Sequence, residues 1–255
     1  MSKFLRLLAV MTLALWASFT TPAQAQGDFP DTPGVYPHIW PDITVVVLPA
    51  SRTPDRFALA TLLSNSALPR TAVAELFGSA MSMSSQFFPA AAPQRLSSGE
   101  AVCLVTPGLN TATLVPYAAY ASVRANELPT DVHAEDVALF LRIHELFHCG
   151  DPSIRPPPPQ PRPVDWLHIS EARADTGAAL RIQQLLPEAR ARKVIAYISW
   201  LRFRGATVRQ QWYHYTSPVL DQVPQPPADA NLNQLLDMAA NLVDNLLPPL
   251  HALTK

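Results

Sequence analysis

Between Val132 and Cys149 apolar side chains cover almost every side of a helical wheel, with Val137, Ala138, Leu139, Phe140, Leu141, Ile143, Leu146 and Phe147 and no helix breaker among them. A helix that is apolar all round belongs in an interior. Helical spacing resumes over 165–185 and 188–205, and earlier over 54–65 and 71–88. Near the C-terminus, Leu232, Leu235, Leu236, Ala239, Leu242, Val243, Leu246 and Leu247 form a stripe with three-and-four spacing. Such a stripe predicts an amphipathic helix packed on the core by that face. Short β-branched or apolar runs at 43–48, 101–106 and 111–115 have strand length and predict a small sheet. The expected fold class is α+β, predominantly helical, with the buried helix beside that sheet.

Proline marks the boundaries. Residues 26–42 are rich in proline and aromatics and are expected to run as an extended arm before a single domain over 43–255. Within that domain, Arg155-Pro156-Pro157-Pro158-Pro159-Gln160-Pro161-Arg162-Pro163 cannot be helix or central strand. The stretch 151–164 is therefore expected to be an extended polyproline connector between two helices.

The buried helix carries polar residues that an apolar interior does not tolerate alone. His144-Glu145-Leu146-Phe147-His148 places two imidazoles one helical turn apart on one face. Both can bind one metal ion, and Glu145, offset by one position, can reach a water in an open coordination position. A third protein ligand must come from elsewhere. A histidine six residues past His148 is excluded, because Ile154 stands there, and Asp151 follows Gly150 as a turn residue. The next helical segment offers Glu171 and Asp175, four apart on one face. One can bind metal while the other accepts the free N–H of a ligating imidazole. Glu171 is the favoured ligand by precedent of two-histidine, one-glutamate sites, and His168 is the alternative.

His144-Glu145-x-x-His148 followed by Glu171-x-x-Ala174-Asp175-x-Gly177 resembles the gluzincin metallopeptidases. The resemblance is to the branch holding CAAX prenyl endopeptidases, membrane heat-shock peptidases and their soluble periplasmic relatives, and it covers about Leu141 to Leu180. It implies a zincin-like core, one zinc ion held by His144, His148 and Glu171, Glu145 as the general base, and Asp175 as support for the ligating histidines. The chain departs from the membrane members in lacking multiple spans, and from the family in the proline-rich insert between its motifs.

Composition adds a compartment. Lys3 and Arg6 precede an apolar stretch from Leu7 to Trp16, and Ala23-Gln24-Ala25 supplies a small-x-small cleavage pattern. This is the pattern of a secretory signal peptide, residues 1–25, cleaved after Ala25. Its removal takes two basic residues and leaves 17 basic against 20 acidic side chains, a net charge of −3. That balance, with no basic block, argues against nucleic acid as a partner. No later apolar run is long enough to span a bilayer. The expected location is periplasmic or secreted, where the two cysteines, Cys103 and Cys149, are expected to pair. Two small buried thiols remain the alternative.

An electrophilic partner for a developing oxyanion is sought in Trp212-Tyr213-His214-Tyr215, with His214 and Tyr215 as the donors. Taken together, the expectation is an exported zinc-dependent endopeptidase acting on protein or peptide substrates in the cell envelope. The alternatives are a zinc-stabilised, non-catalytic envelope binding module and a metal-dependent amidase acting on cell-wall peptides.

Overall fold

The structure is a computed structural model that describes residues 30, 32–86, 89–108, 129, 131–151, 164–209 and 212–253. Its sheet has four strands in the order β1-β2-β4-β3. They are β1 (Gly34–Trp40), β2 (Ile43–Val47), β3 (Ala90–Arg95) and β4 (Ala101–Thr106). β1 and β2 form an antiparallel pair from Gly34↔Val47 to Trp40↔Ile43. β2 runs parallel to β4, with Thr44 opposite Val102 and Val47 opposite Val105. β3 closes the other edge antiparallel to β4, from Ala90↔Thr106 to Arg95↔Ala101.

The central strands are apolar on both faces because both faces are covered. Alternation sends Val45, Val47, Cys103 and Val105 into the larger core. Val46, Leu48, Val102 and Leu104 point the other way, into a second core. There they meet α1 (Arg56–Ser64) and α2 (Arg70–Ser84), through Leu59, Leu63, Leu76 and Ala80. Asp55 caps α1, its Oδ1 accepting from the backbone N–H of Phe57 at 2.8 Å and of Ala58 at 3.2 Å.

The larger core is helical. α3 (Ala134–Gly150) is the buried helix of the sequence, and α4 (Val164–Leu185) packs along it. Next come α5 (Glu188–Arg209), a 3₁₀ turn (Trp212–His214), α6 (Ser217–Leu220), α7 (Leu232–Leu246) and α8 (Leu250–Leu253). α7 starts at a capping box, in which the Asn231 side chain accepts from the Gln234 N–H while the Gln234 side chain accepts from the Asn231 N–H. Its stripe buries Leu232, Leu235, Leu236, Ala239 and Val243, and it lies against α4. No described helix is long and apolar enough to cross a membrane.

Two glycines allow the close approaches that hold the site's helix. A Cβ on Gly177 of α4 would lie 2.2 Å from the Phe147 ring on α3, and one on Gly150 would lie 2.6 Å from the Trp40 ring. Trp40 and Phe147 also meet edge to face, with ring centroids 5.7 Å apart. Cys103 of β4 and Cys149 of α3 are bridged, so the sheet is tied covalently to the residue after His148.

The predominantly helical α+β class expected from the sequence is the one observed. Details differ. Gly34–Trp40, inside the stretch expected to run as an arm, joins the sheet as β1, because its tyrosine, isoleucine and tryptophan suit a strand and Trp40 is drawn into the core. β3 was not expected, since Ala-Ala-Ala-Pro-Gln-Arg has weak strand character. Its edge position tolerates Pro93, which needs a partner on one side only. α2 ends at Ser84 rather than reaching residue 88. The strand expected at 111–115, the signal peptide expected over 1–25 and the polyproline run 155–163 lie outside the described residues.

Candidate metal centre

α3 delivers three of the relevant side chains. His144 and His148, one turn apart, turn their rings at 88° so that the two Nε2 atoms face each other at 3.0 Å. Glu145 is buried beside them, and a carboxylate oxygen of it and one ring nitrogen of each imidazole lie within 4.8 Å of one another. α4 delivers the fourth. Glu171 Oε2 is 3.6 Å from His144 Nε2, and Glu171 Oε1 is 3.5 Å from His148 Nε2. Of the two carboxylates, Glu171 therefore caps the imidazole pair from the facing helix, while Glu145 flanks it from its own helix.

The outer groups fix these donors in place. Asp175, fully buried one turn beyond Glu171, has Oδ1 2.8 Å from His144 Nδ1. Ser170 Oγ lies 3.2 Å from His148 Nδ1. Asp175 is itself held by Arg202 of α5, whose Nε and Nη2 each donate at 2.8 Å, and by Thr216, whose hydroxyl donates at 2.6 Å. Arg202 Nη2 also stands 3.4 Å from Glu171 Oε2, and Arg202 Nη1 is 3.0 Å from His214 Nδ1.

Burial raises carboxylate pKa values, yet both α4 acids go the other way. For Asp175 the Arg202 charge, then His144, outweighs burial and holds the group well below the usual carboxylate range. For Glu171 burial is outweighed by hydrogen bonds with His148 and His214 and by the charges of His144 and His148. Burial works to lower His148, but the hydrogen bond and charge of Glu171, joined by Glu145 and Asp175, carry it above its ordinary value. His214 moves down, mainly through burial and with help from the Arg202 charge, against the pull of Glu171.

This donor set fits a divalent cation. An ionised Asp175 at His144 Nδ1 requires the hydrogen on that nitrogen, which leaves the Nε2 lone pair turned toward His148. Three acceptors, two imidazole nitrogens and a carboxylate, then face one another in a largely buried setting, which a neutral interior does not stabilise. Bonds of about 2.0–2.1 Å in a tetrahedral zinc site place ligand atoms roughly 3.3–3.4 Å apart. The two Nε2 atoms at 3.0 Å and the Glu171 Oε1–His148 Nε2 pair at 3.5 Å lie either side of that spacing, and the other oxygen of Glu171 is about as near His144 Nε2, at 3.6 Å.

The remaining expected residues take different places. His214 stands at the site, with Nδ1 3.1 Å from Glu171 Oε2. Tyr215 packs in an aromatic cluster, its ring 6.2 Å from Phe203 and 6.3 Å from Trp212. His168, the alternative ligand, is buried on α4 one turn before Glu171, and the carboxylate is the group that meets the imidazoles. Asp151 caps the end of α3 and pairs with Arg173 at 3.4 Å. Sequence reasoning missed Arg202, Thr216 and Ser170. The sequence gives little signal for them, since Arg202 is followed by Arg204 two positions on and neither Thr216 nor Ser170 stands out from its neighbours.

Among known proteins the chain matches no family model, no curated protein and no solved structure.

Proposed function

We propose that this protein is an exported zinc-dependent endopeptidase that hydrolyses peptide bonds of protein or peptide substrates in the cell envelope. The observation that carries this reading is the Glu171 carboxylate, brought from a second helix to within 3.5 and 3.6 Å of the paired imidazoles. His144, His148 and Glu171 would hold the ion, leaving one tetrahedral position for water. A zinc ion there supplies Lewis acidity, lowering the pKa of its water to about 7.

The chain's own groups do the rest. Glu145 takes the proton from the water that attacks the peptide carbonyl and passes it to the departing amine. Asp175 keeps His144 in the tautomer that offers Nε2, and Ser170 orients His148 in the same way. His214, beside Glu171, would be the member of the expected donor pair to hydrogen-bond the oxyanion, a role supported by its place at the site. Export is supported by the basic, apolar and small-residue pattern of 1–25 and by a cysteine pair suited to an oxidising compartment.

The deciding experiment measures zinc content of the purified protein by elemental analysis and cleavage of an unfolded protein by mass spectrometry. Zinc near one per chain, with cleavage lost in Glu145→Gln, supports the enzyme. Zinc without cleavage of any unfolded protein or envelope peptide favours a zinc-stabilised binding module. Failure to retain zinc or any other divalent ion ends both readings.

A further inference from the structure

The two oxygens of Glu171 keep different company. Oε1 faces His148 Nε2 at 3.5 Å. Oε2 lies 3.6 Å from His144 Nε2, 3.1 Å from His214 Nδ1 and 3.4 Å from Arg202 Nη2. Arg202 is not a surface charge that happens to pass by. Its side chain is 8% exposed, and the same Nη2 donates to Asp175 Oδ1 while Nε donates to Oδ2, both at 2.8 Å. That two-point grip fixes the plane of the guanidinium, and the plane fixes where the remaining N–H bonds point. Nη2 also stands 3.4 Å from Glu171 Oε2, and Nη1 faces His214 Nδ1 at 3.0 Å.

We infer that Arg202 is a positioning residue for the metal centre: its two-point grip on Asp175 aims His144, and its charge, 3.4 Å from Glu171 Oε2, holds that carboxylate against the imidazole pair. The inference rests on the metal-centre reading above. With His144 and Glu171 both held, the ion would have three protein ligands and one water; where either swings away, water would take its place and raise the coordination number. Arg202 thus acts on two of the three ligands without touching the ion or the substrate. A lysine keeps the charge but lacks the fork, so it cannot hold Asp175 at two points and reach Glu171 at the same time.

The test uses cobalt(II) as the probe, because its visible absorption is intense in four-coordinate sites and weak in five- or six-coordinate ones. The purified protein is stripped with chelator and titrated with cobalt(II), alongside Arg202→Met and Arg202→Lys, and each is melted by circular dichroism. Wild type is expected to give the intense band. Both variants are expected to bind cobalt at least about tenfold more weakly, with a band that stays weak when the site is saturated. Arg202→Lys, which keeps the buried charge, carries the comparison if Arg202→Met does not fold. A saturated variant with the wild-type band and unchanged affinity overturns the inference while leaving the metal centre intact. A wild type with no cobalt band overturns the metal-centre reading, and the inference with it.

Discussion

Gly177 of α4 lies under the Phe147 ring of α3, so close that a methyl group on it would sit 2.2 Å from the ring. Phe147 stands between Glu145 and His148, and Gly177 stands two residues past Asp175. The contact therefore sets the spacing between the helix that carries the imidazoles and the helix that carries Glu171. Gly177→Ala must push the helices apart or displace a fully buried ring. Overpacking of this kind costs about 1–3 kcal/mol. The expected result is a lower melting temperature together with weaker zinc retention, and partial recovery of both in Gly177→Ala/Phe147→Leu. Wild-type melting and zinc content in the single variant would refute the spacing argument.

Glu145 is expected to separate binding from chemistry. It is buried beside the imidazoles but belongs to the same helix, while Glu171 caps them from the opposite one. Glu145→Gln keeps shape and loses the proton acceptor. General-base loss is worth about 10²–10⁴ in rate, so kcat/KM should fall by at least that range while zinc content stays near the wild-type value. Loss of zinc in this variant, with Glu171→Gln retaining it, would reverse the two roles.

Asp175→Asn breaks two things at once. It turns one of two oxygens that face only donor groups into a donor itself, which disturbs the contact that sets the His144 tautomer, a change that typically weakens metal binding about 10–100-fold. It also takes the nearer of two carboxylate charges from buried Arg202, leaving Glu171 at 3.4 Å, and breaking a buried pair costs up to about 3–5 kcal/mol. Chelator competition should show the first effect and denaturant unfolding the second. Asp175→Asn with wild-type zinc affinity would show that His144 is oriented by some other group.

The Cys103–Cys149 bridge closes a sequence separation of 46 residues and ends on the residue after His148. In the loop-entropy description a link of that length contributes about 4 kcal/mol. Cys103→Ala/Cys149→Ala should lower stability by up to that amount and shorten the zinc half-life under chelator, because the end of α3 is no longer tied to β4. Equal stability of the double variant and wild type under oxidising conditions would mean that packing alone sets this junction.

The parts of the fold that were legible in the sequence are those written in a local period. α3 and α7 announce themselves by apolar spacing, and β2 and β4 by β-branched runs. The pairing of His144 with His148 follows from one helical turn, and that of Glu171 with Asp175 follows likewise. What local pattern does not carry is the meeting of separate elements. Arg202 reaches Asp175 across 27 positions and Thr216 reaches it across 41, and neither residue stands in a motif. β3 escaped notice for the complementary reason, since its alanines and Pro93 form a strand only because β4 offers an edge to pair with. Tyr215 shows the limit of reading neighbours together. It is adjacent to His214 in sequence, yet its ring packs against Phe203 and Trp212 while His214 meets Glu171.

Acidity should act on the metal-free and metal-loaded protein in opposite directions. In the metal-free protein, burial lowers the His148 pKa but Glu171, Glu145 and Asp175 more than restore it, so the folded value lies above the ordinary one. A raised histidine stabilises the fold below its unfolded pKa of about 6.5 and loses that contribution as pH rises through the folded value. A bound ion requires the same imidazole deprotonated, so metal binding strengthens over that interval. Ligand excess of about 100-fold over Kd adds about 2.7 kcal/mol of stability. The gap in melting temperature between zinc-saturated and chelator-treated protein should therefore widen from pH 6 to pH 8, with most of the change carried by the chelated sample falling and the loaded sample rising. A gap that stays constant over that interval, or narrows, would mean that His148 is not the group whose proton the ion replaces.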